Sequence, residues 1–221
     1  MKEILSFLKD LEANNTREWF DQNRARYELT RKKFLAVTEF LIHEIRQFDD
    51  EIAPLQPKDC VFRIFRDVRF SNDKRPYKSN YGCFMARGGR KSGFGGYYFH
   101  VQPGESFLSG GIYMPPPEHL HAIRQEIYYH PQKYKELIEE KTFKATYTLD
   151  YSDKLKTAPK GYPKDWEYLD LIKNRNYALG HPVSETELYA PDFLNQAITC
   201  FKILQPYNRY LNSAIDENLN A

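Results

Sequence analysis

The sequence predicts an α+β domain: an antiparallel-rich sheet with long N-terminal and C-terminal helices packed mainly on one face. Three observations carry this. Apolar residues recur at helical spacing near both ends, the middle holds several runs of β-forming residues separated by turn signals, and helical patterns return after those runs. A length of 221 residues suits a single domain, 1–221, and neither a repeat nor a low-complexity linker divides it. With 41% hydrophobic and 28% charged residues the composition excludes disorder, collagen and coiled coil.

The elements follow in order. Ile4, Leu5, Phe7, Leu8 and Leu11 predict a short amphipathic helix over 2–11, broken at Asn14 and Asn15. Asn15 and Glu18 have capping-box spacing, so a long helix is expected to start there. Phe20, Tyr27, Phe34, Val37, Leu41, Ile45 and Phe48 form its apolar stripe, and Pro54 and Pro57 lie beyond its end. Cys60 to Asp67 reads as a strand with apolar groups and an arginine on each face. Further strands fit 81–87, 94–102 and 106–113. The last two are joined by Pro103-Gly104, which suits the centre of a type II turn. Gly110-Gly111 inside a strand signals a bulge or a close backbone approach. Pro115 to Pro117 end the sheet and lead into a helix over 118–129, and Pro131 restarts helix through Glu140. Residues 142–151 look extended, 158–163 form a loop, 166–173 a short helix and 177–183 an added edge strand. A terminal helix from Asp192 is expected to kink or break at Pro206.

Composition narrows the function classes. The longest apolar runs are four residues, Phe34 to Val37 and Cys83 to Ala86, far short of the roughly 20 a membrane helix needs. Lys2, Glu3, Lys9 and Asp10 interrupt the stretch a signal peptide would keep uncharged, so a cytoplasmic protein without membrane association is expected. Cys60, Cys83 and Cys200 are odd in number and widely spaced, which indicates neither a disulfide framework nor a zinc ribbon. The sequence contains no nucleophile elbow, P-loop or dinucleotide fingerprint. His119 and His121 diverge at a helix start, and no four-ligand zinc spacing occurs. Asp73 and Lys74 are adjacent, so on a strand they point to opposite faces, the wrong arrangement for a metal-dependent nuclease.

Charge is uneven. Residues 58–91 hold ten basic groups against three acidic ones, +7, which leaves −5 for the rest of a chain whose total is +2. Arg63, Arg66, Arg69, Lys74, Arg75 and Lys78 are candidate anion ligands, because guanidinium groups bind phosphate or carboxylate oxygens in pairs and keep their charge when half-buried. Ser71 and Asn72 supply neutral donors and Tyr77 an aromatic surface; if the protein is an enzyme, phosphoryl or hydrolytic chemistry is expected, with Asp67 or Asp73 as the nearby acid–base group. Arg90, Lys91 and Lys160 are secondary contacts. The expected partner is a phosphorylated or other anionic ligand, with nucleic acid as one form of it; the sequence identifies neither a cofactor nor a reaction. A second reading stands beside this one: Asp67 and Asp73 pair with the arginines, tying strand to loop in a non-catalytic interaction or scaffold domain. Tyr77, Tyr81, Tyr97 and Tyr98 are either base-stacking groups or core.

A set of segments spread along the chain is shared with a known family. These are Asn14-Asn15 with Arg17-Glu18-Trp19-Phe20 and Asn23, then Phe62-Arg63-Ile64, Arg66-Asp67, Arg69-Phe70-Ser71, Asp73-Lys74 and Pro76-Tyr77-Lys78. Gly96-Tyr97-Tyr98, Pro103-Gly104, Gly110-Gly111, Arg124 and Leu155 to Gly161 complete it. In these the chain resembles the bacterial and fungal family called domain of unknown function 2461. The resemblance implies kinship but no activity, substrate or cofactor.

Overall fold

The computed structural model describes residues 1–149 and 153–219. Helix α1 (Lys2–Ala13) buries Ile4, Leu5, Phe7, Leu8 and Leu11, as its spacing predicts. The next helix is two: α2 (Arg17–Gln22) and α3 (Arg24–Ile45), separated at Asn23. Thr16, not Asn15, is the cap, its hydroxyl accepting from the Trp19 backbone N–H. Asn15 is engaged elsewhere, as described below. After a 3₁₀ turn (Asp50–Ile52) and the single-turn helix α4 (Pro57–Cys60), the chain crosses 61–78 without a regular strand. The strand expected at Cys60–Asp67 is corrected accordingly: Cys60 ends a helix, and only Val61 and Phe65 form isolated bridges, to Cys83 and Tyr77.

Strands β1 (Tyr81–Ala86), β2 (Gly96–Val101) and β3 (Ser106–Ile112) form an antiparallel meander. The β2–β3 turn has the expected form: Glu105 N–H donates to Gln102 O at 3.2 Å and Gly104 has φ +72°. Helices α5 (Pro117–Tyr129) and α6 (Pro131–Glu139) follow as predicted. The extended reading of 142–151 is overturned in its described part, since 141–146 form helix α7 (Lys141–Thr146) and only β4 (Thr148–Leu149) is extended; 150 and 151 lie outside the described residues. Glu140 caps α7 by accepting from Phe143 N–H, a cap with no Ser, Thr, Asn or Asp to signal it. The helix over 166–173 shortens to α8 (Leu169–Ile172). Strand β5 (Tyr177–Val183) is not an edge, because the order is β1-β2-β3-β5-β4 and the short β4 pairs outside it. After α9 (Glu185–Tyr189), α10 (Phe193–Leu219) continues through Pro206 without a break in its helical assignment.

Alternation along the strands gives the sheet two unlike faces. Tyr81, Cys83, Met85, Tyr97, Phe99, Leu108, Tyr177 and Leu179 point to one side and are buried. There Phe34 of α3 stacks on Tyr81 at 5.2 Å, and Phe193 and Phe201 of α10 meet Phe99 and Tyr97. Each such buried ring contributes roughly 1.5–3 kcal/mol. Two asparagines fasten α10 to the sheet where glycines let it come close. Asn208 accepts from Gly111 N–H (2.9 Å) and donates to Gly96 O (3.0 Å), while Asn212 accepts from Gly95 N–H (2.7 Å). A Cβ on Gly110 would lie 2.1 Å from Leu204 of α10, so the close-approach reading of Gly110-Gly111 is the correct one, and strand register continues through both. On the opposite face Phe84, Tyr98, His100, Phe107, Ser109, Ala178 and Gly180 are only half-buried.

Candidate functional site

The basic segment runs out from α4 along the edge of β1 and back. Phe62 N–H donates to Gly82 O (2.9 Å), Arg66 N–H to Pro76 O (2.9 Å) and Lys78 N–H to Ile64 O (2.8 Å). Asn15 grips this excursion: its Nδ2 donates to Tyr77 O (3.0 Å) and its Oδ1 accepts from Tyr77 N–H (3.1 Å), the pattern a neighbouring strand would offer. The Tyr77 ring lies buried on Phe20, centroids 3.9 Å apart and nearly parallel, so it anchors the segment in the core.

Acids within the segment meet three of its arginines. Asp67 accepts from Arg69 Nε (3.0 Å) and Nη2 (2.7 Å). Asp73 pairs with Arg66 and accepts from Arg75 Nε (3.1 Å) and Nη2 (2.8 Å); Arg75 first, then Arg66, hold its carboxyl far below the usual range. Ser71 lies 3.4 Å from Arg66 Nη2, and Lys74 donates to Val68 O at 3.1 Å. Asp67 and Asp73 are thus ion-pair acceptors. Among the described residues Arg63, Lys78 and Arg90 form no ion pair. Arg63 is exposed, and Phe70 projects at the tip with 96% of its surface exposed. Lys160 is exposed in a loop whose Tyr162 packs edge-on against Tyr128 of α5, and it does not line the cavity described next.

Beside the segment the half-buried sheet face hollows into a groove of about 480 Å³. Phe84 of β1, Tyr98 of β2, and Phe107 and Ser109 of β3 form its floor. Phe62, Lys78, Asn80, Arg90, Ser92, Phe94 and Tyr113 form its walls. Phe94 is held there by Arg87, whose guanidinium lies 3.7 Å from the ring centroid and is tied to Asp216 at 2.7 and 3.0 Å. Arg90 is aimed by donating to Lys58 O at 2.8 Å. The Lys78 ammonium stands 5.5 Å from the Phe62 ring; burial, then Arg63 and Arg66, lower its pKa. Aromatic floor and cationic wall together fit a ligand with a flat apolar body and an anionic end.

Of the predicted site residues, the structure brings Lys78 to the groove, with the secondary candidate Arg90. Arg63, Arg66, Asp67, Arg69, Ser71, Asp73 and Lys74 belong to the excursion beside it. Of the four tyrosines, Tyr77, Tyr81 and Tyr97 are core and Tyr98 faces the groove. No sequence pattern singles out Asn80, Phe84, Phe107 or Ser109, which also line the groove. Alternation places 84, 98, 107 and 109 on one face only once the register Phe84↔Tyr98↔Ser109 is known. Among the described residues no group of three or more His, Cys, Asp or Glu is placed to hold a metal, and no helix is long and apolar enough to cross a membrane.

No curated protein and no solved structure matches this chain. One family model does, over residues 3–210, and the chain therefore belongs to the family described as conserved hypothetical protein (DUF2461).

Proposed function

We propose that this protein binds a small anionic ligand, a phosphate or carboxylate on a flat apolar body, in the groove on the half-buried sheet face. The observation that carries the reading is the pair of cations at the wall, Lys78 and Arg90, neither joined to a carboxylate among the described residues, above a floor of Phe84, Tyr98 and Phe107. A charge-assisted hydrogen bond to such a cation contributes about 1.5–3 kcal/mol, and stacking on the rings adds about 0.5–1.5 kcal/mol. Arg63, exposed beside Lys78, adds positive potential that draws an anion toward the opening. The volume is that of a small-molecule site.

Calorimetric titration with inorganic phosphate, phenyl phosphate, mononucleotides and a short single-stranded DNA tests this. Phenyl phosphate or a mononucleotide is expected to bind more tightly than phosphate, and the Lys78→Met/Arg90→Met double variant is expected to lose the difference. Wild-type protein that binds none of the four refutes the reading. Tighter binding of the oligonucleotide, with a steep salt dependence, would move the ligand class to nucleic acid.

The pairing of Asp67 and Asp73 with Arg66, Arg69 and Arg75 favours a second reading, a non-catalytic interaction or scaffold domain in which these charges shape the excursion. Arg66→Ala would then lower stability equally with and without phosphate.

A further inference from the structure

The floor of the groove has a direction of hydrogen bonding that can be followed from one end. Glu105, exposed beside the β2–β3 turn, ends a chain of side chains: Gln102 Nε2 lies 2.7 Å from its carboxylate, Gln102 Oε1 lies 3.0 Å from His100 Nε2, and His100 Nδ1 lies 2.8 Å from Tyr98 Oη. A carboxylate only accepts, so the Gln102 amide must turn its NH₂ toward Glu105 and its oxygen toward His100. That oxygen requires a hydrogen on His100 Nε2. The neutral imidazole then has a bare Nδ1, which accepts from the Tyr98 hydroxyl. Tyr98, which lines the groove, has thereby committed its only hydrogen to the protein and keeps only lone pairs for a further partner. Its cross-strand neighbour Ser109 is committed likewise, donating to Leu179 O at 2.6 Å. Burial lowers the His100 pKa, which favours the neutral ring this chain requires.

We infer that Tyr98 is a specificity-determining residue of the groove: held as an acceptor by His100, Gln102 and Glu105, it selects ligands whose flat body carries an N–H or O–H donor over those that carry only acceptors. The inference rests on the groove being a ligand site and adds which polarity of ligand it takes. Inosine-like or amino-aromatic bodies fit this description, and nitro- or fluoro-aromatic ones do not.

The test compares aminophenyl phosphate isomers with phenyl phosphate and nitrophenyl phosphate, which share the anion and the ring and differ in the donor. The best amino isomer is expected to bind about three- to tenfold more tightly than phenyl phosphate, the equivalent of one neutral hydrogen bond. Tyr98→Phe is expected to abolish the difference between the amino isomer and phenyl phosphate. Glu105→Gln, at an exposed position, removes the fixed direction of the chain and is expected to reduce the preference in a folded protein. Nitrogen-15 NMR of the wild type is expected to report the Nε2–H tautomer of His100. Equal binding of all three probes overturns the inference while leaving the site. A preference that survives Tyr98→Phe, or an Nδ1–H tautomer, overturns it as well. Binding of no probe removes the site and the inference together.

Discussion

Replacing Lys78 by Met separates the roles of the site from those of the fold. Met keeps most of the stem that packs beside Phe62, and the backbone hydrogen bond from residue 78 to Ile64 O does not depend on the side chain. The charge that is removed is half-buried, faces no carboxylate among the described residues, and stands near Arg63 and Arg66, which both push its pKa down. Its folded-state pKa lies below the unfolded value, so below that folded pKa the charged lysine opposes folding, and the penalty is relieved as pH rises toward the ordinary value. Lys78→Met is therefore expected to be at least as stable as wild type at pH 7 and to lose the extra stability wild type gains at alkaline pH. Affinity moves the other way. On the proposed function, removing one charge-assisted hydrogen bond of about 1.5–3 kcal/mol is expected to weaken phenyl phosphate binding roughly 10- to 150-fold. Urea unfolding at pH 7 and pH 10, with calorimetric titration at pH 7, reads both. A clear loss of stability at pH 7 with unchanged affinity would show that Lys78 serves packing, and would refute its assignment as a ligand group.

Three further outcomes follow from the packing. Gly111→Ala places a Cβ 2.0 Å from Tyr177 O on a residue with φ +77°, so about 1–2 kcal/mol of backbone strain adds to about 1–3 kcal/mol of overpacking, and urea unfolding should show a loss of about 2–5 kcal/mol; a loss below about 1 kcal/mol would mean that β5 shifts away at Tyr177. Asn15→Ala removes both hydrogen bonds to Tyr77, and hydrogen exchange should then show reduced protection of the amides of Tyr77 and Lys78 relative to β2 and β3. His100 has a pKa lowered from about 6.5, mainly by burial, with Gln102 and Glu105 opposing the shift and Lys78 adding to it. As pH falls below about 6.5 the unfolded chain takes up a proton that folded His100 refuses, so stability declines until the folded pKa is reached. His100→Gln should flatten that part of the stability profile, and an unchanged slope would place the His100 pKa at its unfolded value.

The parts of the fold legible in the sequence are those whose signals are local. The stripes of α1 and α10, the prolines that open α5 and α6, and the Pro103-Gly104 turn each sit within a few residues of the structure they specify. The misreadings arise where a distant partner decides. Val61 to Asp67 has strand composition, yet β1 lends it only an isolated bridge before the chain turns away, and Asn15, 62 residues from Tyr77, supplies the pairing a strand would have given. Thr142 to Thr146 is rich in threonine, but Glu140 caps it into a helix turn and Phe143 is drawn into the core. Of the basic residues in the +7 window, the structure places Lys78 and Arg90 at the wall of the groove. The rest of the floor is not legible in the sequence, because Phe84, Phe107 and Ser109 come beside Tyr98 only through strand register.

The asparagine clasp between α10 and the sheet bears on how the chain is made. Gly95, Gly96 and Gly111 find their side-chain partners in Asn208 and Asn212, about a hundred residues later. In a ribosome-bound chain that has released the meander but not yet α10, Tyr97 lacks its Phe201 neighbour and Phe99 its Phe193 neighbour. Docking of α10 is thus a late event of synthesis, and until then the nascent protein presents a greasy surface that chaperones recognise.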